Sequence, residues 1–300
     1  MYLDRYFIFM KTIIMFLIML TVAQAQLKHL PSNSPYQYGD SDYTQYSADS
    51  LLHTSTYSLT FDDGPNKNYT PQILDHLKSY NVKATFFIVG SRVNESDYPL
   101  LKRILNEGHI LASHDWTHDN NNNENREIFK KDLRKSIQKI ETIYNRLGFE
   151  LPIMYFRFPY AAYGRNRGYH HLNVIRELSQ EMYNQNCIHF AFWDNDSGDW
   201  IPGMDGEQIF QNFKAFEQGG RFYTYKIRNG KIIKVTDTIP GKKVPQINKG
   251  GVILFHDMYQ KTVDGVAKIL KYASQRNIRF VNLNEIHEYQ IHGNYVCRLN

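Results

Sequence analysis

The chain has 300 residues, 42% hydrophobic and 22% charged, with a formal net charge of +5. That balance calls for a packed core and excludes intrinsic disorder. The charge is mild and no basic stripe accompanies it, which excludes a nucleic-acid partner and suits an anionic surface such as a cell wall. With only Cys187 and Cys297 present, a thiolate metal centre is excluded, while a disulfide and a pair of buried thiols both remain open.

Residues 1–25 read as a signal peptide. Arg5 and Lys11 flank its start, residues 12–22 are almost wholly apolar, and Ala23-Gln24-Ala25 gives the small-x-small pattern of a cleavage site. The apolar run is short for a membrane span, which needs about 20 residues. The mature chain is therefore expected to be secreted, periplasmic or in the cell envelope, touching a membrane only if this segment stays uncleaved. Residues 26–55, rich in Ser, Asp, Tyr, Gln and Pro, read as a linker or arm.

Strand and helix signals then alternate. Residues 57–61 are β-prone and run into Gly64-Pro65, a turn signal. Residues 71–80 place Ile73, Leu74 and Leu77 on one helical face, with Pro71 suited to the first turn. Residues 82–89 form a continuous apolar run, the pattern of a parallel strand covered on both faces. A helix over 99–106 ends at Gly108, and a short strand over 109–112 leads into two histidines. Residues 124–147 predict a long amphipathic helix with Ile128, Leu133, Ile137, Ile140 and Tyr144 near helical spacing, closed by Gly148. Strands follow at 154–157, 188–193, 251–255 and 278–283, with helices at 172–182, 207–216 and 263–273. Residues 222–235 read as a hairpin turning at Asn229-Gly230, an insertion at the rim of a site or a surface hairpin without a role. The repeated units predict an α/β fold with a parallel sheet, and seven or eight of them favour closure into a barrel. The domain is expected to span residues 56–290, with the hairpin insertion at about 220–240 and a tail over 291–300.

The chemistry-bearing residues fall at the ends of these strands, where α/β proteins build their sites. His114 and His118 are four apart, a spacing that on one helical turn lets both imidazoles grip one ion. Asp62-Asp63 adds two adjacent carboxylates, one for the ion and one left free as a base. Two His and one carboxylate leave positions open for water and substrate. That set also suits ferrous oxygenases, but an oxygenase has no need of the spare Asp, whereas a hydrolase must take a proton from its water. A buried Arg157 would hold the Asp62 carboxylate in place, and the backbone N–H of Tyr160 suits a developing oxyanion. His256 ends an apolar run, and Asp199 offers it a carboxylate that raises its pKa and fits it to act as an acid. Trp200 and Leu254 would wall a small group such as a methyl.

The ordered motifs Thr60-Phe61-Asp62-Asp63-Gly64-Pro65, Ser113-His114-Asp115-Trp116-Thr117-His118, Arg157-Phe158-Pro159-Tyr160, Asp196-Ser197-Gly198-Asp199-Trp200 and Leu254-Phe255-His256-Asp257 resemble those of the polysaccharide deacetylases, the NodB-homology or carbohydrate esterase 4 family. The resemblance covers about residues 57–283. It implies a distorted (β/α) barrel, a divalent metal that is usually zinc, and hydrolysis of an N-acetyl group on a sugar polymer. It also implies roles: Asp62 as general base, Asp63, His114 and His118 as metal ligands, and Arg157 as tether of the base. Tyr160 would be the oxyanion donor, His256 the general acid with Asp199 as its partner, and Trp200, Leu254 and Pro159 the pocket. Peptidoglycan is the expected glycan, with chitin, poly-N-acetylglucosamine, acetylxylan and an inactive glycan-binding role as alternatives. Two departures, the hairpin and the Asn-rich loop 119–125, are expected to border the substrate groove.

Overall fold

The computed structural model describes residues 48–151, 153–164, 170–184, 187–241 and 247–289. The expected signal segment, nearly all of the arm, the tail and Cys297 lie outside the described residues. Among the described residues no helix is long and apolar enough to cross a membrane.

Eight strands form a curled, mostly parallel sheet. They are β1 (Thr56–Asp62), β2 (Ala84–Ile88), β3 (Ile110–Ser113), β4 (Met154–Phe156), β5 (Ile188–Phe190), β6 (Asn195–Asp196), β9 (Gly251–His256) and β10 (Arg279–Phe280). Their order is β5-β4-β3-β2-β1-β9-β6, with β10 pairing the start of β1. β1 and β2 are buried along their whole length, which is why their sequences read as apolar runs rather than alternating ones. Six helices pack around the sheet: α1 (Thr70–Ser79), α2 (Tyr98–Asn106), α3 (Arg126–Leu147), α4 (His170–Tyr183), α5 (Gly206–Gln218) and α6 (Gln260–Ser274).

The helix boundaries follow their caps. In α3 the Asn125 side chain accepts from the Glu127 N–H, and Gly148 ends the helix in the left-handed conformation, where glycine has no Cβ to clash. Its buried stripe runs through Phe129, Leu133, Ile137, Ile140 and Tyr144. Ile128, expected on that stripe, is exposed: the ring of its neighbour Phe129 takes the inward position and stacks on Phe158 and His171.

The curled sheet stays open at a seam between its two edge strands. Residues 188–193 read as one strand, but the strand breaks after Phe190. β5 pairs with β4 at one edge of the sheet, and β6, next in the chain, pairs with β9 at the other. Between them the Ala191 N–H bonds back to the Phe156 carbonyl and the Asp194 N–H forward to that of Val252. The seam carbonyls of Ala191 and Phe192 lie off the ladder and accept from the guanidinium of Arg157, Nε and Nη2 each donating at 2.9 Å. A buried carbonyl without a donor is costly, so one side chain satisfies the seam that distorts the barrel.

The predicted hairpin is present as β7 (Gly220–Arg228) and β8 (Lys231–Ile239), an antiparallel pair outside the main sheet. Asn229 and Gly230 both have positive φ, as a two-residue hairpin turn of this kind requires. Its base is fixed to α5: the Asn212 side chain exchanges two hydrogen bonds with the Tyr223 backbone, and Phe222 and Ile239 pack with Ala215 and Phe216.

Candidate active site

The parallel strands deliver their C-terminal ends to one rim, and the sequence-predicted residues stand on it. Asp62 ends β1 and Asp63 follows it; His114 follows β3, Arg157 follows β4, Asp199 follows β6, and His256 ends β9. Asp62 and His256 are register partners. Two residues earlier Thr60 faces Leu254, so by strand alternation all four share one face of the sheet.

Arg157 is fully buried, and its Nη1 donates to Asp62 Oδ1 and to Thr60 Oγ1, each at 2.8 Å. The same guanidinium lies over the Phe87 ring. A planar fork fixed at Nε and Nη2 by the seam carbonyls leaves Nη1 one direction in which to point, and Asp62 is therefore held through the seam.

Asp63, His114 and His118 each offer one ligand atom, and these atoms lie within 4.8 Å of one another. The expected helical turn does not carry the two histidines. Residues 114–120 form a loop in which Asp115 and His118 have positive φ. These two left-handed residues fold the chain back and bring the imidazole centroids to 5.1 Å. His114 Nδ1 lies 2.9 Å from the Arg157 carbonyl. A carbonyl only accepts, so Nδ1 carries the hydrogen and Nε2 of the neutral ring presents a lone pair. Burial lowers His114 to about 4, against the pull of Asp62 and Asp63, which keeps the ring neutral near pH 7.

That lone pair faces Asp63 Oδ1 at 3.5 Å and Asp62 Oδ2 at 3.6 Å. His118 Nε2 lies 2.8 Å from Asp63 Oδ1, yet this buried oxygen has no aligned hydrogen bond. Burial works against ionising Asp63, but the imidazoles of His118, His114 and His256 outweigh it and hold the carboxyl below the usual carboxylate range. Two imidazole nitrogens and a carboxylate oxygen gathered within 4.8 Å of one another fit a cation. The N2O donor set suits a divalent transition metal with open positions.

Across the rim, His256 Nδ1 lies 2.8 Å from Asp199 Oδ1. Asp199 is fully buried, and its Oδ2 also accepts from the His256 N–H and from Thr262 Oγ1. Burial pulls His256 down, and the Asp199 carboxylate, backed by Asp63 and Asp62, outweighs it and raises the imidazole to about 10. Leu254 is buried, and the half-buried Trp200 donates its indole N–H to the Asp196 carboxylate. Pro159 is buried in a short turn that leads to Tyr160. Tyr160 and Ala161 both have positive φ, a backbone strain of about 1–3 kcal/mol each. Among the described residues no acceptor meets the Tyr160 N–H, and the Tyr160 ring packs on His118 at 4.9 Å.

Several supporting residues were not singled out in the sequence. Thr60 was detectable as the position two before Asp62, but Thr262 lies in α6 with no local signal. Asp257, adjacent to His256, is fully buried; it accepts from Thr70 Oγ1 and packs on Gly64. The Asn-rich loop only partly borders the open side. Asn121 and Asn122 turn inward and are buried, and Asn121 Nδ2 donates to Asp115 Oδ2, behind the two histidines.

The sequence model described as polysaccharide deacetylase matches residues 52–181. A peptidoglycan-N-acetylglucosamine deacetylase of Bacillus cereus is 31% identical over 75% of this chain and 66% of its own length. The peptidoglycan-N-acetylmuramic acid deacetylase PdaC of Bacillus subtilis is 29% identical over 77% of this chain and 38% of its own. Among solved structures, the Bc1960 peptidoglycan N-acetylglucosamine deacetylase is 30% identical, with a TM-score of 0.54 over 77% of this chain and 87% of that one.

The chain belongs to the polysaccharide deacetylase family. The chain spans 66% and 38% of the length of these two curated relatives.

Proposed function

We propose that this protein is a secreted, metal-dependent N-deacetylase of peptidoglycan. The observation that carries the reading is the convergence of Asp63, His114 and His118 beside an Arg157-held Asp62, with His256 opposite. The named activities of the relatives from Bacillus cereus and Bacillus subtilis support the substrate class.

Asp63, His114 and His118 would hold the cation, zinc by preference. When bound, a divalent cation supplies a polarised acetamide carbonyl and a water of lowered pKa. Asp62, held at Oδ1 by the Arg157 fork, takes the proton from the attacking water. The Tyr160 N–H donates to the oxygen that gains charge as the carbonyl becomes tetrahedral. His256, protonated through its Asp199 partner, gives its proton to the departing sugar nitrogen, and acetate leaves. Trp200, Leu254 and Pro159 wall the methyl group and exclude water from the other side.

The test is acetate release from purified peptidoglycan, with chelator and with added zinc. Release should require the metal, and mass spectrometry of the digested glycan should show a loss of acetyl from one sugar of the repeat. Equal release with and without chelator, or none with zinc present, would overturn the reading. The two curated relatives are named for different sugars, so the same spectra assign which sugar this enzyme takes.

A further inference from the structure

The catalytic residues account for the rim of the barrel and leave the hairpin unused. Between Gly220 and Ile239 it carries Arg221, Lys226, Arg228, Lys231 and Lys234 against a single acid, Asp237. Lys234 is committed to structure, its Nζ donating to Gln208 Oε1 at 2.8 Å and to the Gly203 carbonyl. Lys226, Arg228 and Lys231 are exposed, and among the described residues none has a carboxylate partner.

Register places these three together. Arg228 stands directly opposite Lys231, and Lys226 opposite Ile233 one step further in. Opposite residues of an antiparallel pair share a face, and like charges placed there destabilise the ladder. The tip thus holds a like-charge pair with no acid to relieve it. The other face carries Tyr225 and Ile227 opposite Lys234 and Ile232. The Tyr225 ring meets the Trp200 indole edge-on at 4.8 Å, so this face begins at the wall of the candidate pocket. Beyond it Ile227 is 70% exposed and Ile232 40%, an apolar track left open among the described residues. The root is rigid through Asn212, so the ribbon is a fixed rim rather than a loose loop.

We propose that this hairpin is a substrate-binding rim selective for an acidic glycan. Resting on the deacetylase reading, this names the class of polymer that the site takes. Sugar rings beyond the reacting one lie along Tyr225, Ile227 and Ile232, with their flat faces against the apolar side chains. Lys226, Arg228 and Lys231 have stems long enough to reach round a two-stranded ribbon, and they meet the carboxylates that the polymer carries. A neutral glycan of the same length gains only the apolar part.

The test compares two probes, a hexamer of alternating N-acetylglucosamine and N-acetylmuramic acid and a neutral N-acetylglucosamine hexamer. Binding is measured by calorimetry in the Asp62→Asn protein, with and without the changes Lys226→Gln, Arg228→Gln and Lys231→Gln. The three exposed cations should together be worth about fivefold in Kd for the acidic hexamer. Their neutralisation should leave the neutral hexamer unaffected, and added salt should reproduce the effect. Unchanged affinity for the acidic hexamer, or equal loss on both, would overturn the proposal. So would binding to phosphatidylglycerol vesicles in place of the acidic hexamer. Acetate release from neither hexamer by the Asp62 protein would sink only the deacetylase reading, because the binding comparison needs no turnover.

Discussion

Asp62 and His256 face each other across the β1–β9 ladder as register partners, so one set of backbone hydrogen bonds fixes the separation of the base and acid proposed here. They are also oppositely equipped. Asp62 accepts from a buried guanidinium, whereas His256 is backed by a buried carboxylate. Their environments push one group toward taking a proton and the other toward giving one, the division of labour that an amide hydrolysis needs. Asp62→Asn should therefore lower kcat by about 10²–10⁴-fold, the span of general base catalysis. Cation stoichiometry should be unchanged, because Asp63, His114 and His118 are intact. Titration of zinc alongside acetate release checks both halves. A variant that loses metal and turnover together would show Asp62 to be a ligand instead.

Cation binding should be visible in stability without any substrate. A ligand that binds only the folded state at a hundredfold excess over Kd stabilises by about 2.7 kcal/mol. Zinc added to chelator-treated protein should thus raise Tm, and His118→Ala, which removes one of three donors, should abolish the rise. His118 is the variant of choice because His114 is tied to the Arg157 carbonyl and its loss would disturb the seam as well. An equal zinc-dependent rise in the variant would place the cation elsewhere.

Much of this was legible in the sequence, and the parts that were not share a cause. Buried parallel strands are continuous apolar runs, so β1, β2 and β9 stood out, and Asn229-Gly230 located the hairpin. The candidate site residues could be placed because Asp62 and His256 end apolar strands and the others lie in the segments that follow strands. The seam was hidden because residues 188–193 are equally apolar before and after the break, and which neighbour a strand pairs with is not a local property. The histidine spacing suggested a helical turn, whereas the geometry comes from left-handed backbone at Asp115 and His118, a conformation that Asp and His adopt more readily than most residues but that their presence alone does not require. Thr262 reaches Asp199 from 63 positions away, a distance at which one sequence carries no signal.

The His256–Asp199 pair predicts a pH window. Its imidazole is raised from an ordinary 6.5 to about 10 in the folded state. A raised folded pKa means that protonation favours folding. This contribution is whole below the unfolded value of 6.5 and is lost as pH rises through about 10. In metal-free protein the Tm difference between wild type and His256→Gln should accordingly be largest near pH 6 and shrink steadily toward pH 10. Thermal melts across that range in the presence of chelator read it directly. A difference that grows with pH would mean that the imidazole is neutral when folded and that Asp199 serves only the His256 backbone and Thr262.

Gly64 offers the sharpest packing test of the turn that carries Asp62 and Asp63. A Cβ there would lie 2.4 Å from Asp257 Oδ2 and 2.5 Å from Oδ1, well inside contact distance. Asp257 has little freedom to retreat, being fully buried and bonded to Thr70 Oγ1, which in turn accepts from the Asn66 N–H. Burial raises this carboxyl to about 7, and its Oδ1 has no partner. Gly64→Ala should then destabilise by about 1–3 kcal/mol, the range for overpacking a close-packed site. It should also weaken zinc binding, because the residue that must move is bonded to Asp63. Asp257→Ala added to Gly64→Ala opens the space and should recover part of both losses, although Asp257→Ala alone leaves Thr70 without its acceptor. Denaturant melts and zinc titrations of the two single variants and the double variant separate the outcomes. Simple additivity of the two changes would show that the carboxylate is not what holds the glycine in place.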